Sequence, residues 1–198
     1  MLLPVLERLW QPRLPKAYRP GATLARLAQD LAGLDCLGEE GGLRHYRLPE
    51  ADWSFSVREQ VESQWLLHTV SCCFCLPLSG KGPAQASRLQ LYHQGNWRRS
   101  GIACRCVAGD ASALAGLMEQ ITASRALHTA LMPLDFKRCE LIGDAGGWRL
   151  EIEHFAASEV VGRFPPFRRY IRLIRTQKLA MLACMAVLQR LFLAQGKA

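Results

Sequence analysis

Acidic residues are missing from the last part of this chain: residues 161–198 hold Arg163, Arg168, Arg169, Arg172, Arg175, Lys178, Arg190 and Lys197, with no Asp or Glu. Because the whole chain carries a net charge of +8, residues 1–160 are neutral. A neutral body provides no extended basic groove and no reading-head motif is present, which counts against nucleic acid as the partner. Long hydrophobic runs are also lacking. The longest, Leu179–Leu188, falls well short of the ~20 apolar residues a membrane-spanning helix needs, so no transmembrane segment is expected. Met1–Leu6 lacks a preceding basic region and runs into Glu7 and Arg8, which is too short for an export signal. No stretch is low in complexity or linker-like, so residues 1–198 read as one domain of ordinary composition.

Cysteine, by contrast, is plentiful. Eight cysteines in a small secreted chain would suggest a disulfide framework, but this chain has neither an export signal nor a shortage of core. They read as thiols of a reducing compartment, which places the protein in the cytoplasm, with a peripheral membrane position as the variant. Cys73 and Cys75 share one face of a strand, and Cys104 and Cys106 share one face of another. Were those strands neighbours, the four thiols could converge on zinc or an iron–sulfur cluster. One residue between ligands does not wrap an ion, however, so small apolar core thiols are the plainer reading and no cofactor is expected. His68, His93 or His154 could serve a cysteine nucleophile as base, although no local signature selects one. Ser79-Gly80-Lys81-Gly82 has the look of a phosphate loop, but the chain beyond it reads as strand rather than helix.

Pattern and punctuation outline an α+β fold. Pro4, Pro12, Pro15 and Pro20 make residues 1–20 an extended arm. Thr23 opens a short amphipathic helix through Leu24, Leu27, Ala28 and Leu31, with Gly33 as its stop. Period-two alternation runs from Leu43 to Val107. Within it Trp65–Leu76 is apolar on both sides, the mark of a central strand covered on both faces. Asp110 caps a helix with Leu114, Leu117, Met118 and Ile121 on one side, closed by Pro133. Phe136–Ile142 and Trp148–Phe155 then form a hairpin about Asp144–Gly147, with Trp148, Leu150 and Ile152 inward and Arg149, Glu151 and Glu153 outward. After Pro165-Pro166 the spacing predicts one long basic helix from about Phe167 to Leu193. The sum is a largely antiparallel sheet of about six or seven strands, with helices packed mainly on one face. The element order resembles that of the α+β sandwiches of small bacterial secretion chaperones and adaptors, a likeness of architecture that matches no motif residue.

The charge asymmetry carries the functional expectation. Arg163, Phe164, Phe167, Arg168, Arg169, Tyr170, Arg172, Arg175 and Lys178 interleave cations with aromatic rings, as a surface docking an acidic protein or an anionic membrane would. The expected function is that of a non-enzymatic adaptor or chaperone-like protein. An enzyme using the strand Cys and His residues, and single-stranded nucleic-acid binding on the same rings, are the alternatives. The all-apolar half of the last helix, Leu179–Leu188, would suit core burial or a homodimer.

Overall fold

Glutamate 59, not a residue of the helix itself, sets the start of the first helix. The computed structural model describes residues 18–49, 51–95, 98–162 and 166–195; the arm expected over residues 1–20 therefore lies outside them except for its last three residues. Helix α1 (Ala22–Asp30) begins at Gly21, whose φ of 77° is left-handed and suits glycine, and Thr23 makes no capping bond. Instead the Glu59 carboxylate accepts from the Gly21, Thr23 and Leu24 N–H groups at 2.9, 2.9 and 3.1 Å and from the Tyr18 hydroxyl at 2.6 Å. A carboxylate there satisfies orphan donors and meets the positive end of the helix dipole. Leu24, Leu27 and Leu31 face the core.

Strands β1 (Asp35–Glu40), β2 (Leu43–Arg47), β3 (Ser54–Ser63) and β4 (Leu67–Leu78) follow as an antiparallel meander. Next come β5 (Ser87–Gln94), β6 (Gly101–Ala108), the helices α2 (Ala115–Ala123) and α3 (Arg125–Leu131), then β7 (Phe136–Asp144), β8 (Gly147–Gly162), β9 (Phe167–Ile171) and α4 (Arg175–Gln195). All nine strands join one sheet in the order β1-β2-β3-β4-β8-β7-β5-β6, with β9 beside β8. The class is the expected α+β with an antiparallel sheet, and the strand number exceeds the expected six or seven. Ser124 splits the expected middle helix in two, its Oγ accepting from Leu127 N at 3.3 Å to cap α3.

The described helices pack on one face of the sheet. There Tyr46, Phe55, Phe74, Leu76, Leu89, Leu141, Leu150 and Ile152 from the sheet form one core with Leu27, Leu131, Met185, Leu188 and Phe192 from the helices. Full burial of each such side chain contributes about 1.5–3 kcal/mol. By length and hydropathy alone Arg175–Ala194 would also suit a bilayer span; in this fold α4 sets Met181, Cys184, Met185, Leu188 and Phe192 into the core. Gln189 locks it further, donating to Pro77 O at 2.6 Å and accepting from Ser79 N at 3.3 Å.

Strand β8 carries the feature that positions everything else. β4 lines one of its edges throughout, whereas the other edge takes β7 as far as His154 and β9 from Ser158 onward. Against β4, Ser71 faces Ser158 but Cys73 faces Glu153, so β8 bulges over residues 154–157. Ala157 in the bulge has a φ of 57°, a conformation that costs a non-glycine residue about 1–2 kcal/mol. An odd number of extra residues exchanges the faces of the strand. Glu151 and Glu153, before the bulge, therefore look to the open face, and Glu159, after it, looks to the helices. His154 sits in the bulge, where Asp135 N and Ala156 N approach its two ring nitrogens at 3.1 and 3.0 Å. Burial drops its pKa to about 4, so the ring is neutral.

The long basic helix expected from Phe167 is corrected here: Phe167–Ile171 is strand, and helix begins at Arg175. Where β7 ends, the second half of β8 still has backbone groups to pair, and β9 meets them. The alternation Phe-Arg-Arg-Tyr-Ile fits a strand as well as a helical start, so periodicity alone does not decide. Also corrected is β4, which is central but, among the described residues, covered by helices on one face only. Trp65 and Leu66 lie in the β3–β4 turn, where Gln64 N donates to Leu67 O at 2.8 Å.

Candidate functional site

A strand distributes neighbouring residues to opposite faces, and that splits the expected cationic cluster. Arg168 and Tyr170 point toward the helices. Arg168 pairs with Glu159 at 2.8 Å, and this buried carboxylate also holds Arg26 at 3.3 Å. The Tyr170 hydroxyl donates to Asp30 at 2.9 Å, with the Arg26 guanidinium 5.8 Å from its ring centroid. Arg172 Nε and Leu173 N reach the same Asp30, each at 3.0 Å. Lys178 donates to Ala32 O at 2.9 Å, and Arg175 is exposed at the start of α4. Arg163 and Phe164 lie outside the described residues. These cations thus do not converge on one outward patch. Arg168, Tyr170, Arg172 and Lys178 tie β9 and α4 to α1, a structural task in which Asp30 and Glu159 supply the counter-charges.

Phe167, Arg169 and Ile171 face the other way, onto the side of the sheet that no described helix covers. Phe167 and Ile171 are 47% and 41% exposed, and Arg169 is exposed and has no carboxylate partner among the described residues. Register sets them beside other apolar groups. Phe167 pairs with Gly162, which pairs with Leu67 at the foot of the β3–β4 turn, whose apex presents Trp65 at 88% and Leu66 at 56% exposure. Ile171 and the exposed Phe155 border a cleft of about 280 Å³ shared with Val160, Thr69 and the Lys137–Glu153 pair. Trp65, Leu66 and Ile171 were not legible as surface residues, because the turn at residues 63–66 has no glycine or proline and Ile171 fits the apolar side of a helix; Phe155 falls on the outward positions of the period-two pattern.

The centre of the open face is an ion-pair lattice. Glu151 takes Arg58 and Arg149 at 3.2 Å each and Arg138 at 3.6 Å. Glu153 takes Lys137 at 3.2 Å, Arg138 at 3.6 Å and the Ser71 hydroxyl at 2.6 Å. Lys137 also pairs with Glu62, and Arg138 with Glu140 at 3.4 Å. Glu151 and Glu153 are thus paired across strands with Arg138 and Lys137, which accounts for buried carboxylates on a face that no described helix covers.

Cys73 and Cys75 lie in this lattice, whereas Cys104 and Cys106 lie on the helix side of β6, opposite Leu91 and Leu89. β8, β7 and β5 separate the two pairs. The condition for a four-thiol site, that the two strands be neighbours, is not met, and no group of three or more ligating side chains able to hold a metal occurs among the described residues. His93 stacks on Phe136 at 4.4 Å and contacts Leu131 O at 3.2 Å, so it and His154 are engaged in the helix-side core, away from Cys73 and Cys75. The loop around Lys81 leads into β5, a strand, and its Ser79 is bound to Gln189; no helix N-terminus faces it.

Comparisons with curated proteins and with solved structures give no match. One family model does match, that of the DUF3156 family, described as a protein of unknown function, over residues 29–192. That range runs from the end of α1 to the last turn of α4 and takes in the whole sheet, so the chain belongs to the DUF3156 family.

Proposed function

We propose that this protein is a non-enzymatic docking protein that binds an anionic membrane surface through one end of its open sheet face, with Trp65 and Leu66 at the tip, Phe155, Phe167 and Ile171 behind them and Arg169 among them. The exposure of Trp65 and Leu66 at the apex of a hairpin is the observation that carries this reading. Contiguous exposed apolar groups mark interaction surfaces, and an indole at a projecting tip suits the headgroup boundary. An acidic protein would use the same cation, but a flat partner leaves a projecting tip less to bury.

Magnitudes order the contributions. Removing a large exposed side chain such as Trp65 from water stabilises the bound state by about 1.5–3 kcal/mol, while one arginine near an anionic leaflet contributes about 1 kcal/mol. Apolar insertion therefore dominates, and charge selects the surface. Co-sedimentation with vesicles of mixed zwitterionic and anionic lipid tests this. Wild type is expected to bind them and to bind purely zwitterionic vesicles more weakly, Trp65→Ser to lose about 10- to 100-fold, and Arg169→Gln about fivefold. Absence of binding to the anionic vesicles, or binding untouched by Trp65→Ser, rejects the reading.

A further inference from the structure

Two thiols share one spot on the open face, and their environments differ. Cys73 and Cys75 occupy successive same-face positions of β4, with their sulfurs 4.0 Å apart. Cys73 is fully buried, its sulfur 3.9 Å from Glu151 Oε2 and 4.0 Å from an Arg138 nitrogen. Cys75 is partly exposed. Arg58, one strand away on β3, directs its guanidinium to Cys75 and to Glu151. So close a pair does not carry two negative charges. With Cys73 shifted up and Cys75 down, the proton is kept by Cys73 and the charge falls on Cys75, where Arg58 supports it. The hydrogen bond from Cys73, aided by Arg58 and opposed by burial and Glu151, holds the Cys75 thiol below the usual range, while the same bond and burial push Cys73 up.

We propose that Cys75 is a reversible thiol-modification site that exchanges with low-molecular-weight disulfides bearing carboxylates, the class of glutathione disulfide. The Cys75 thiolate attacks one sulfur of the disulfide, a new S–S bond forms at Cys75, the old S–S bond breaks, and the other half leaves as a thiolate that takes a proton from water. No further oxidant is needed, and excess free thiol runs the step backward. Arg58 and the half-exposed Arg149 are the cations beside Cys75 that suit the carboxylates of such a molecule. Cys73 is a positioning residue: it orients and stabilises the thiolate without forming the bond. A direct Cys73–Cys75 disulfide is not part of this chemistry, because successive same-face positions of an extended strand hold their Cβ atoms too far apart. The site does not depend on the docking reading.

The test is incubation of the full-length native protein with glutathione disulfide at a series of pH values, with peptide mass mapping of each cysteine. Exposed Cys36 reports accessibility in the same sample. The expected result is a mixed disulfide at Cys75 whose rate reaches half-maximum below the ~8.5 of an ordinary thiol. Cys73→Ala should move that midpoint up by about one pH unit, Cys73→Ser, which keeps a donor, should retain most of the depression, and Arg58→Gln should slow the reaction without changing Cys36. The proposal is overturned if Cys75 stays unmodified while Cys36 reacts, if its midpoint is that of an ordinary thiol, or if Cys73→Ala leaves the profile unmoved or Cys73→Ser behaves like Cys73→Ala.

Discussion

Replacing Asp30 with alanine should destabilise the protein far more than replacing Arg172, its only ion-pair partner among the described residues. Asp30 is the point at which α1 holds the β9–α4 junction: its side chain is 2% exposed and accepts from the Tyr170 hydroxyl, Arg172 Nε and Leu173 N. Hydrogen bonds to a charged acceptor are worth roughly 1.5–3 kcal/mol each, and Leu173 N and the Tyr170 hydroxyl would be left in a part-buried site without it. Arg172 is different. Its side chain is 73% exposed, so water replaces the carboxylate, and the pair is worth less than about 1 kcal/mol. Asp30→Ala should therefore cost about 3–5 kcal/mol, Tyr170→Phe about 1 kcal/mol, and Arg172→Ala no more than about 1 kcal/mol. Urea unfolding followed by far-UV circular dichroism measures all three, with unchanged slopes reporting the same surface exposed on unfolding. If Arg172→Ala proves as costly as Asp30→Ala, the ion pair rather than the buried hydrogen bonds anchors α1, and the reasoning fails.

Two further outcomes follow from burial and close approach. The unfolded chain protonates His154 near pH 6.5 whereas the folded chain resists protonation down to about pH 4, so stability present above pH ~6.5 is lost as pH falls through this window, by roughly 3 kcal/mol in total; the stability curve of His154→Gln should be flatter by that amount between those limits. A Cβ at Gly82 would stand 1.8 Å from Asp144 O and 2.9 Å from Gly147 N, both backbone, whereas one at Gly116 in α2 meets nothing within 4 Å. Gly82→Ala should destabilise by about 1–3 kcal/mol and Gly116→Ala should stabilise by about 0.5–1 kcal/mol, which thermal melts of the two variants will separate.

Local alternation made the middle of the sheet legible. Trp148, Leu150 and Ile152 face the helices and Arg149, Glu151 and Glu153 the other side, because period two separates the two faces of a strand, although of these three only Arg149 is exposed. The edges were harder to read. β1 is exposed along its whole length and so shows no apolar alternation, although Gly41-Gly42 marks the turn that follows it. β9 was obscured because five residues rich in arginine satisfy a helical pattern as readily as an extended one, and only the unpaired second half of β8 decides between them. The parity exchange at residues 154–157 is a property of the register between β4 and β8, and no local sequence signal encodes it. The charge excess of residues 161–198 was plain, but its meaning depended on Glu159 across the β8–β9 pairing and on Asp30, far away in sequence. The basic residues near the junction of β9 and α4 are divided between internal ties and exposed cations, of which Arg169 stands beside exposed apolar groups.

That division is tested most directly by removing one positive charge from the open face of β9 and one from the junction that follows it, and measuring affinity for anionic vesicles at fixed ionic strength. Arg169→Gln should weaken binding about fivefold and Arg172→Gln should leave it unchanged. Equal losses from the two variants would contradict the account, since they would mean that overall charge and not the open face governs association.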